Sequence, residues 1–252
     1  MHGFIWKDMK RSFLNVGFFV GMASVAALLM AAVATGTPPG RIRSSYYILF
    51  NVFGASGFGP FAAVFPVLAY ATRFCEEYQS GYYRMIFARL SPVQFGRIRI
   101  LTVALSGGVM IAVPIALSCI MAYTFGVPGV PGDSDVGMIE GTVIFTYIMK
   151  YGDGYVAVGK TVLGFLFGCV WALVGFAFAV WIPNRYVALI APFVLYESLW
   201  IALYQIIWLN PIFLLRGDDV GSYPLAAGVE CVYIIAVSTV IMAGLVRRYR
   251  NG

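Results

Sequence analysis

The chain has 252 residues, of which 61% are hydrophobic and only 11% are charged, and its formal net charge is +6 at pH 7. About a quarter of the residues in soluble domains are charged, so this composition excludes an ordinary soluble domain and indicates a membrane protein. The basic residues are spread over separate segments and not gathered on one face, which argues against nucleic-acid binding.

Several stretches of the chain are long and apolar enough to cross a membrane. A bilayer core of roughly 30 Å needs about 20 helical residues. The second stretch is interrupted by Gly and Pro residues, and the fifth and sixth each contain one Glu. We therefore predict an all-α integral membrane protein with one transmembrane domain over residues 1–252 and six transmembrane helices. The predicted spans cover approximately residues 13–35, 55–73, 100–126, 161–182, 186–208 and 224–246.

The distribution of Lys and Arg predicts which side of the membrane each loop lies on, because these residues accumulate in cytoplasmic loops. If the N-terminus is inside, 12 of the 17 Lys and Arg residues fall in cytoplasmic segments and 5 in outer segments. Six spans then place both termini in the cytoplasm. None of the four Cys lies in an outer loop, so no disulfide framework is expected. The predicted location is a cell membrane, the bacterial plasma membrane, with multiple passes.

The N-terminal segment before the first span has two different sides. In a helix over residues 3–13, Ile5, Trp6 and Met9 share one side, and Lys7 and Lys10 share the other. This pattern predicts a short amphipathic helix at the cytoplasmic headgroups with Trp6 as an anchor. The alternative is an ordinary basic flank.

Short apolar stretches and paired glycines complete the outline of the membrane domain. Residues 46–53 are predicted to form an interfacial helix or to thread back into the membrane, and residues 139–149 a small helix at the outer mouth. Glycines four residues apart, at Gly17 and Gly21 and at Gly164 and Gly168, predict close helix packing without identifying the partner helix.

Residues 154–161 match the phosphate-loop pattern G-x-x-x-x-G-K-T, but their context does not. That site needs a strand before the loop and a soluble helix after it, whereas a membrane helix follows here on the predicted outer side. The single His is His2, and no Asp lies within a predicted span, so the residues for a metal or catalytic site are missing. We expect no catalysis, metal or cofactor in this chain.

Two glutamates lie within predicted spans. Glu197 is near the middle of the fifth span, and Glu230 is in the outer third of the sixth. An ionisable group in hydrocarbon costs about 2.5–3.5 kcal/mol, so it normally faces a cavity or a partner. Both residues are candidates for a point on a translocation path or a subunit contact. The alternative is a protonated carboxyl bonded to a nearby Tyr or Ser.

The segment between the second and third spans carries the most specific pattern. After Gly81 we predict a short amphipathic helix over residues 82–90, ended by Ser91 and Pro92, on the cytoplasmic face. A helix with aromatic and Arg edges is suited to dock on a soluble protein, and floating at the headgroups is the alternative. The candidate docking residues are Glu76, Glu77, Gly81, Tyr82, Arg84, Met85, Arg89, Ser91 and Pro92.

This segment resembles the coupling helix of permease subunits of ATP-binding-cassette (ABC) exporters, of the six-span type-two export class. Glu76, Glu77, Gly81 and the Ser91-Pro92 stop match that pattern. Tyr82 departs from the Ser or Thr often found after the glycine. The resemblance extends to the chain length, the six predicted spans, the inside termini, the N-terminal amphipathic helix and the short turn between the fourth and fifth spans.

The resemblance implies a permease subunit without an ATPase site of its own. Soluble ABC ATPase subunits would bind ATP and magnesium, and a second permease chain, identical or related, would complete the complex in the membrane lipid. The implied activity is export of a lipid-like, drug-like or peptide substrate. The alternative is a stand-alone gradient-driven secondary transporter or channel with Glu197 as a proton or ion site. A membrane-embedded enzyme, or an assembly or immunity factor, is a third class.

Overall fold

The computed structural model describes residues 2–36, 44–87, 90–127, 143–217 and 220–251, and these residues are almost entirely helical. Five helices are long and apolar enough to cross a membrane, so the chain is an all-α, multi-pass membrane protein. These helices are Val16–Gly36, Pro92–Phe125, Gly154–Trp181, Arg185–Ala202 and Tyr223–Arg250.

The helices are numbered along the described part of the chain. They are α1 (His2–Phe13), α2 (Val16–Gly36), α3 (Ser45–Ala55), α4 (Phe58–Phe61), α5 (Val64–Tyr70), α6 (Arg73–Gln79), α7 (Tyr82–Phe87), α8 (Pro92–Phe125), α9 (Val143–Tyr151), α10 (Asp153–Trp181), α11 (Arg185–Ala202), α12 (Pro211–Arg216) and α13 (Tyr223–Asn251). Helix α10 is central, because it packs against α8, α11 and α13, and α8 in turn packs against α2.

The two ends of the bundle differ in charge. One end holds α1, α6, α7, the start of α8 and the end of α13; we call it the basic end, after Arg73, Arg84, Arg185, Arg247 and Arg248. Its elements are joined by contacts such as the ion pair of Arg185 with Glu76 and the packing of Phe87 on Tyr249. The opposite end, with α3, α9 and α12, is the far end.

Helix α8 begins earlier than the third predicted span. Ser91 and Pro92, which were predicted to end the preceding short helix, form the start of α8. The Ser91 hydroxyl accepts a hydrogen bond from the Gln94 backbone N–H at 3.2 Å, and the Gln94 side chain accepts one from the Ser91 backbone N–H at 3.4 Å. This reciprocal pair is a capping box, and Pro92 occupies the first helical position, where its missing N–H costs nothing. The predicted start at residue 100 was therefore eight residues too late.

Three short helices, α4, α5 and α6, occupy the region of the second predicted span. Pro66 has no N–H to bond the Ala62 carbonyl, which places the first break at Ala62 and Ala63. At the second break, the Asn15 side chain donates to the Ala69 carbonyl at 2.9 Å, a group that a continuous helix would pair with a backbone N–H. The connecting residues keep right-handed helical dihedral angles. Six continuous spanning helices are thus not confirmed.

The fifth predicted span is shorter in the structure. Helix α11 ends at Ala202, and residues 203–209 form turns where the prediction had helix to residue 208. Asn210 explains the change of direction, because its side chain donates to the Trp200 carbonyl at 2.9 Å and accepts from the Ile212 backbone N–H at 3.1 Å. The Asn210 side chain therefore pairs with a free carbonyl at the end of α11 and caps a free N–H at the start of α12.

The short helices outside the spans form close to their predicted positions, but residues 139–142 of the predicted outer helix lie outside the described residues. Helix α3 packs against the core through Ile48, Leu49 and Val52. Helix α9 packs at the far end, where the ring of Tyr147 stacks on that of Tyr223 with centroids 5.2 Å apart. Helix α1 also forms, but its buried side carries Asp8 and Ser12, whereas Trp6 is 74% exposed.

Glycines hold α8 and α10 in backbone contact. A Cβ added at Gly168 would lie 2.4 Å from the Gly107 carbonyl oxygen, and one added at Gly164 would lie 2.4 Å from the Ile115 side chain. One added at Gly17 would lie 2.3 Å from the Leu68 carbonyl oxygen. The predicted close packing is confirmed, and it joins helices within this chain.

We expect Gly168→Ala to lower the free energy of unfolding by about 1–3 kcal/mol, because the methyl group would push α8 and α10 apart. The matched control is Gly228→Ala in α13, where an added Cβ meets nothing within 4 Å and the higher helix propensity of alanine should raise the free energy of unfolding by up to about 1 kcal/mol. Unfolding of the purified chain in detergent measures both. Equal stability of the two variants would contradict the backbone contact.

Candidate functional site

Three charged side chains meet inside the basic end. The guanidinium of Arg99 lies 2.5 Å from the Glu77 Oε2 atom and 3.0 Å from the Asp8 Oδ1 atom. All three side chains are buried, with 2%, 8% and 3% of their surfaces exposed in the order Arg99, Glu77, Asp8. They come from α8, α6 and α1, so these contacts join three elements that are distant in the sequence. We call Asp8, Glu77 and Arg99 the buried charge triad.

Neighbouring side chains complete the surroundings of the triad. Tyr70 donates its hydroxyl to the Asp8 Oδ1 atom at 2.7 Å, and Thr102 donates its hydroxyl to the Oδ2 atom at 2.9 Å. The Arg99 guanidinium lies over the rings of Tyr70 and Phe95, 4.9 and 5.2 Å from their centroids. Both Asp8 oxygens are thus satisfied, and the cation is enclosed by aromatic faces.

A buried arrangement of this kind fixes relative positions more than it stabilises. The desolvation of buried ions offsets much of their attraction, but removing one partner leaves an uncompensated charge and costs about 3–5 kcal/mol. Helices α1, α6 and α8 therefore cannot separate at this point without breaking charged contacts. The triad therefore links α6 to the first turns of α8 through the contact of Glu77 with Arg99.

Helix α7 projects from this fixed point. Gly81, which joins α6 to α7, has φ = +71°, a left-handed conformation that suits glycine. Tyr83 and Ile86 are buried against the bundle, whereas Tyr82 and Met85 are 38% and 61% exposed. Helix α7 thus shows an aromatic and a thioether side chain on its outer side. We call Tyr82 and Met85 the exposed pair of α7.

Arg84 lies at the edge of α7 and stays cationic. Its Nε atom donates to the Tyr83 hydroxyl at 3.3 Å, and this hydrogen bond raises the pKa of Arg84 above its ordinary value. Glu76 on α6 is exposed and pairs with Arg73 at 2.5 Å and with Arg185 at 3.6 Å. The surfaces of α6 and α7 therefore carry charges of both signs.

The nine predicted docking residues separate into different environments. Glu76, Tyr82, Arg84 and Met85 are on the surface, whereas Glu77 is turned inward to Arg99. Ser91 and Pro92 belong to the start of α8. Arg89 lies outside the described residues. In this conformation the surface available to a partner is therefore smaller than the predicted set.

Sequence reasoning missed two members of the buried charge triad. Arg99 was counted among the cytoplasmic loop charges, and Asp8 was not singled out at all. A signal for Asp8 was present, since it is the one acidic residue in a strongly basic N-terminal helix. No signal in the sequence pairs it with Arg99, because their contact depends on how α1 packs against α8.

The two predicted intramembrane glutamates face different surroundings. The Glu230 side chain is 2% exposed, its Oε2 atom has no hydrogen-bond partner within the described residues, and it lines an apolar cavity of about 190 Å³ with Trp171 and Tyr233. The Glu197 Oε1 atom is also buried without a partner in that part of the chain. Tyr196 donates to the Gly59 carbonyl, 2.7 Å away, and not to Glu197.

We expect Glu230→Met to raise the free energy of unfolding by about 1–3 kcal/mol, because it removes a buried polar group that has no partner. The control Glu230→Gln keeps a polar group of the same shape and is expected to bring no gain. Thermal unfolding in detergent compares the two variants with the parent chain. A loss of stability in Glu230→Met would show that the carboxyl is hydrogen-bonded to a ligand or water in the cavity.

Residues 154–161, which match the phosphate-loop pattern, form the first turns of α10. Lys160 is fully buried, and its Nζ atom donates to the Arg216 carbonyl at 2.9 Å and lies 4.4 Å from the centre of the Phe53 ring. This lysine therefore connects α10 with α12 and α3 at the far end.

Comparisons with known proteins add no further assignment. No protein-family model matches the chain, and neither a curated protein nor a solved structure is similar enough to count as a match. The functional argument therefore depends on the geometry of the basic end and on the resemblance of residues 76–92 to a coupling helix.

Proposed function

We propose that the chain is the transmembrane permease subunit of an ATP-driven ABC exporter. It would move a lipid-like, drug-like or peptide substrate across the cell membrane, using soluble ATPase subunits that bind ATP and magnesium. The observation that carries this proposal is the exposed helix α7, whose support α6 is linked through Glu77 to Arg99 of α8. In this proposal the basic end is cytoplasmic.

The connection from α7 to the bundle is suited to transmit force. A push on the exposed pair of α7 is carried by α6 to the buried charge triad and from there into α8. At 1.5 Å per residue, the 34 residues of α8 are about 50 Å long. Asp8 passes the same displacement to α1. Rigid-body displacement of packed helices is one of the known ways in which a local push changes a whole domain.

The segment from α4 to α6 would supply the sixth crossing. The predicted second span, residues 55–73, is about 28 Å long at 1.5 Å per residue, close to a bilayer core of roughly 30 Å. With six crossings both termini lie on the cytoplasmic side. A second permease chain, identical or related, would complete the path through the membrane.

Photo-crosslinking from α7 tests the proposal. A photoreactive amino acid replaces Met85 in one variant and Met149 of α9 in the other, because both side chains are 61% exposed but lie at opposite ends. We expect the Met85 position to form an adduct with a soluble subunit that hydrolyses ATP, and the Met149 position to form none. Absence of such an adduct at Met85 would count against the proposal.

Labelling of intact cells tests the sidedness separately. Cys231 is exposed, so Met85→Cys and Met149→Cys are made in a chain with Cys231→Ala. A membrane-impermeant thiol reagent should label the Met149→Cys variant and leave the Met85→Cys variant unlabelled until the cells are opened. Labelling of Met85→Cys in intact cells would place α7 outside and overturn the ATPase-coupling role.

A gradient-driven transporter or channel is the second candidate. The observation in its favour is the buried Glu230 carboxyl, which has no partner among the described residues and lines a cavity. This candidate predicts ion-gradient-dependent transport by the purified chain in liposomes without ATP, and loss of that transport in Glu230→Gln. The exporter proposal predicts no such transport by the isolated chain.

A further inference from the structure

A cleft at the basic end presents three arginines together. It measures about 380 Å³, and its lining includes Arg84 of α7 and Arg247 and Arg248 of α13. The acids of the surrounding elements are already engaged, since Glu76 pairs with Arg73 and Arg185, and Asp8 and Glu77 pair with Arg99. Within the described residues, no carboxylate pairs with any of the three cleft arginines. The cleft is therefore a site for an anion.

Aromatic rings and backbone carbonyls hold these arginines in place. Arg248 lies 4.6 Å from the centre of the Tyr78 ring and donates from its Nη2 atom to the Trp181 carbonyl at 2.8 Å. Arg247 lies 5.6 Å from the centre of the Trp181 ring, and Arg84 lies 5.9 Å from that of Tyr83. Because these contacts leave the cationic charges uncompensated, the cleft is built for a group such as phosphate.

An apolar groove continues from this cleft along the bundle. It measures about 350 Å³ and runs between α10, α11 and α13, with Phe178, Ile182 and Val240 in its lining. Trp181 lines both the cleft and the groove, and its indole N–H donates to the Val240 carbonyl at 3.2 Å, which fixes the ring where the two meet. An occupant of both would be charged at one end and apolar beyond Trp181.

The depth of the groove matches one leaflet of a bilayer. Ten residues of α13 separate Arg247 at the cleft from Val237 in the groove, which is about 15 Å at 1.5 Å per residue. Half of a bilayer core of roughly 30 Å is the same depth. When the groove lies at the depth of the acyl chains, the arginines of the cleft therefore lie at the depth of the lipid phosphates.

We propose that the cleft and groove together bind one anionic phospholipid of the leaflet at the basic end. The phosphate contacts Arg84, Arg247 and Arg248, and one acyl chain lies between α11 and α13 against α10. Basic pockets between transmembrane helices bind anionic lipid headgroups in this way. This site lies beyond the exporter function and does not depend on ATP.

Native mass spectrometry of the full chain tests the proposal. The chain is reconstituted in nanodiscs of phosphatidylcholine with a minor fraction of phosphatidylglycerol, extracted in mild detergent, and the lipid retained per chain is counted. We expect preferential retention of phosphatidylglycerol. Arg84→Gln combined with Arg247→Gln should reduce the preference about fivefold for each arginine removed. Retention of the two lipids in the same proportion as in the nanodisc would overturn the proposal.

The control variant carries Arg73→Gln and Arg185→Gln, which removes the same charge from the same end but outside the cleft. This control should keep the preference for phosphatidylglycerol. If it loses as much of that preference as the cleft variant, the preference depends on overall charge, and the proposed site is wrong. Arg248 is left intact in both, because its guanidinium also bonds the carbonyls of Val180 and Trp181.

A second pair of variants tests the acyl-chain groove. Ala236→Trp should fill the groove and displace the lipid, whereas Val232→Trp on an exposed part of α13 outside the groove lining should not. If inorganic phosphate displaces phosphatidylglycerol and Ala236→Trp has no effect, the ligand is a soluble phosphate and the lipid assignment is wrong. A photoreactive amino acid in place of Ala236 reports on the occupant of the groove. If it crosslinks two copies of the chain in the nanodisc, the groove holds a second copy, and the lipid proposal is wrong.

Discussion

Replacing Arg99 with methionine is expected to lower the free energy of unfolding by about 3–5 kcal/mol. The variant would leave the Asp8 and Glu77 carboxylates buried with no cation between them, 3% and 8% exposed. Whole domains are stable by only about 5–15 kcal/mol, so this loss is a large fraction of the total stability and should clearly shift the unfolding transition. Detergent-titrated unfolding and size-exclusion chromatography after mild extraction measure this loss.

The control for charge removal at the same end is Arg73→Met. Arg73 is half exposed and its ion pair with Glu76 is on the surface, so we expect a change within about 0.5 kcal/mol. Similar losses in the two variants would contradict the assignment of a buried triad. Both variants remove one guanidinium that pairs with a carboxylate of α6. The difference between their stabilities therefore measures the effect of burying the ion pair.

Removing all three charges together separates stability from force transmission. A chain with Asp8→Asn, Glu77→Leu and Arg99→Met has no buried charge at this point, and the Asn oxygen still accepts a hydrogen bond from Tyr70 or Thr102. Such replacements are often neutral or stabilising, so the triple variant should fold. Under the exporter proposal it should nevertheless lose the coupling of ATP hydrolysis to transport, because α6 and α8 are no longer joined by charged contacts.

Composition and hydrophobic patterns predicted the fold class because the bilayer constrains them so strongly. Uncharged stretches of about 20 residues have few structures available in hydrocarbon, and the first, third, fourth and sixth predicted spans each coincide with a long helix. The predicted span boundaries differ from the helix boundaries where a side chain hydrogen-bonds to the backbone at a helix end. The Ser91 cap extends α8 into a polar region, and Asn210 ends α11 early, and neither effect is visible in hydropathy.

The candidate site was predicted in part for a related physical reason. Gly81 stands out in the sequence, and the structure needs a glycine there because φ is +71°. Glu76 and Glu77 are adjacent and chemically alike, so the pattern had no means to show that one faces solvent and the other faces Arg99. Helix α7 has six residues, which is too short for helical periodicity to assign its buried side.

The conformation of Gly81 also leads to the second large effect. Under the exporter proposal, Gly81→Pro is expected to abolish coupling to the ATPase, because proline holds φ near −65° and cannot adopt +71°. It also removes the N–H that Gly81 donates to the Tyr78 carbonyl at 3.1 Å. Helix α7 must then leave α6 in another direction, and the exposed pair of α7 moves away from its partner.

The matched substitution is Gly81→Asn. No atom lies within 4 Å of a Cβ added at Gly81, so a side chain fits and only the backbone conformation decides the result. Asparagine enters the left-handed region more readily than other residues, and alanine there costs roughly 1–2 kcal/mol. If the exporter proposal holds, we therefore expect crosslinking from Met85 to the ATPase to decrease in the order Asn, Ala, Pro.

Thermal unfolding distinguishes loss of coupling from loss of the fold. Tyr83 and Ile86 are the two buried residues of helix α7, so the Gly81→Pro variant should remain in the membrane as a folded bundle in which only α7 changes direction. Retained crosslinking and ATP-coupled transport in Gly81→Pro would show that the direction of α7 does not matter. The lever from α7 through Glu77 and Arg99 to α8 would then have to be abandoned as the path by which ATP hydrolysis acts on this chain.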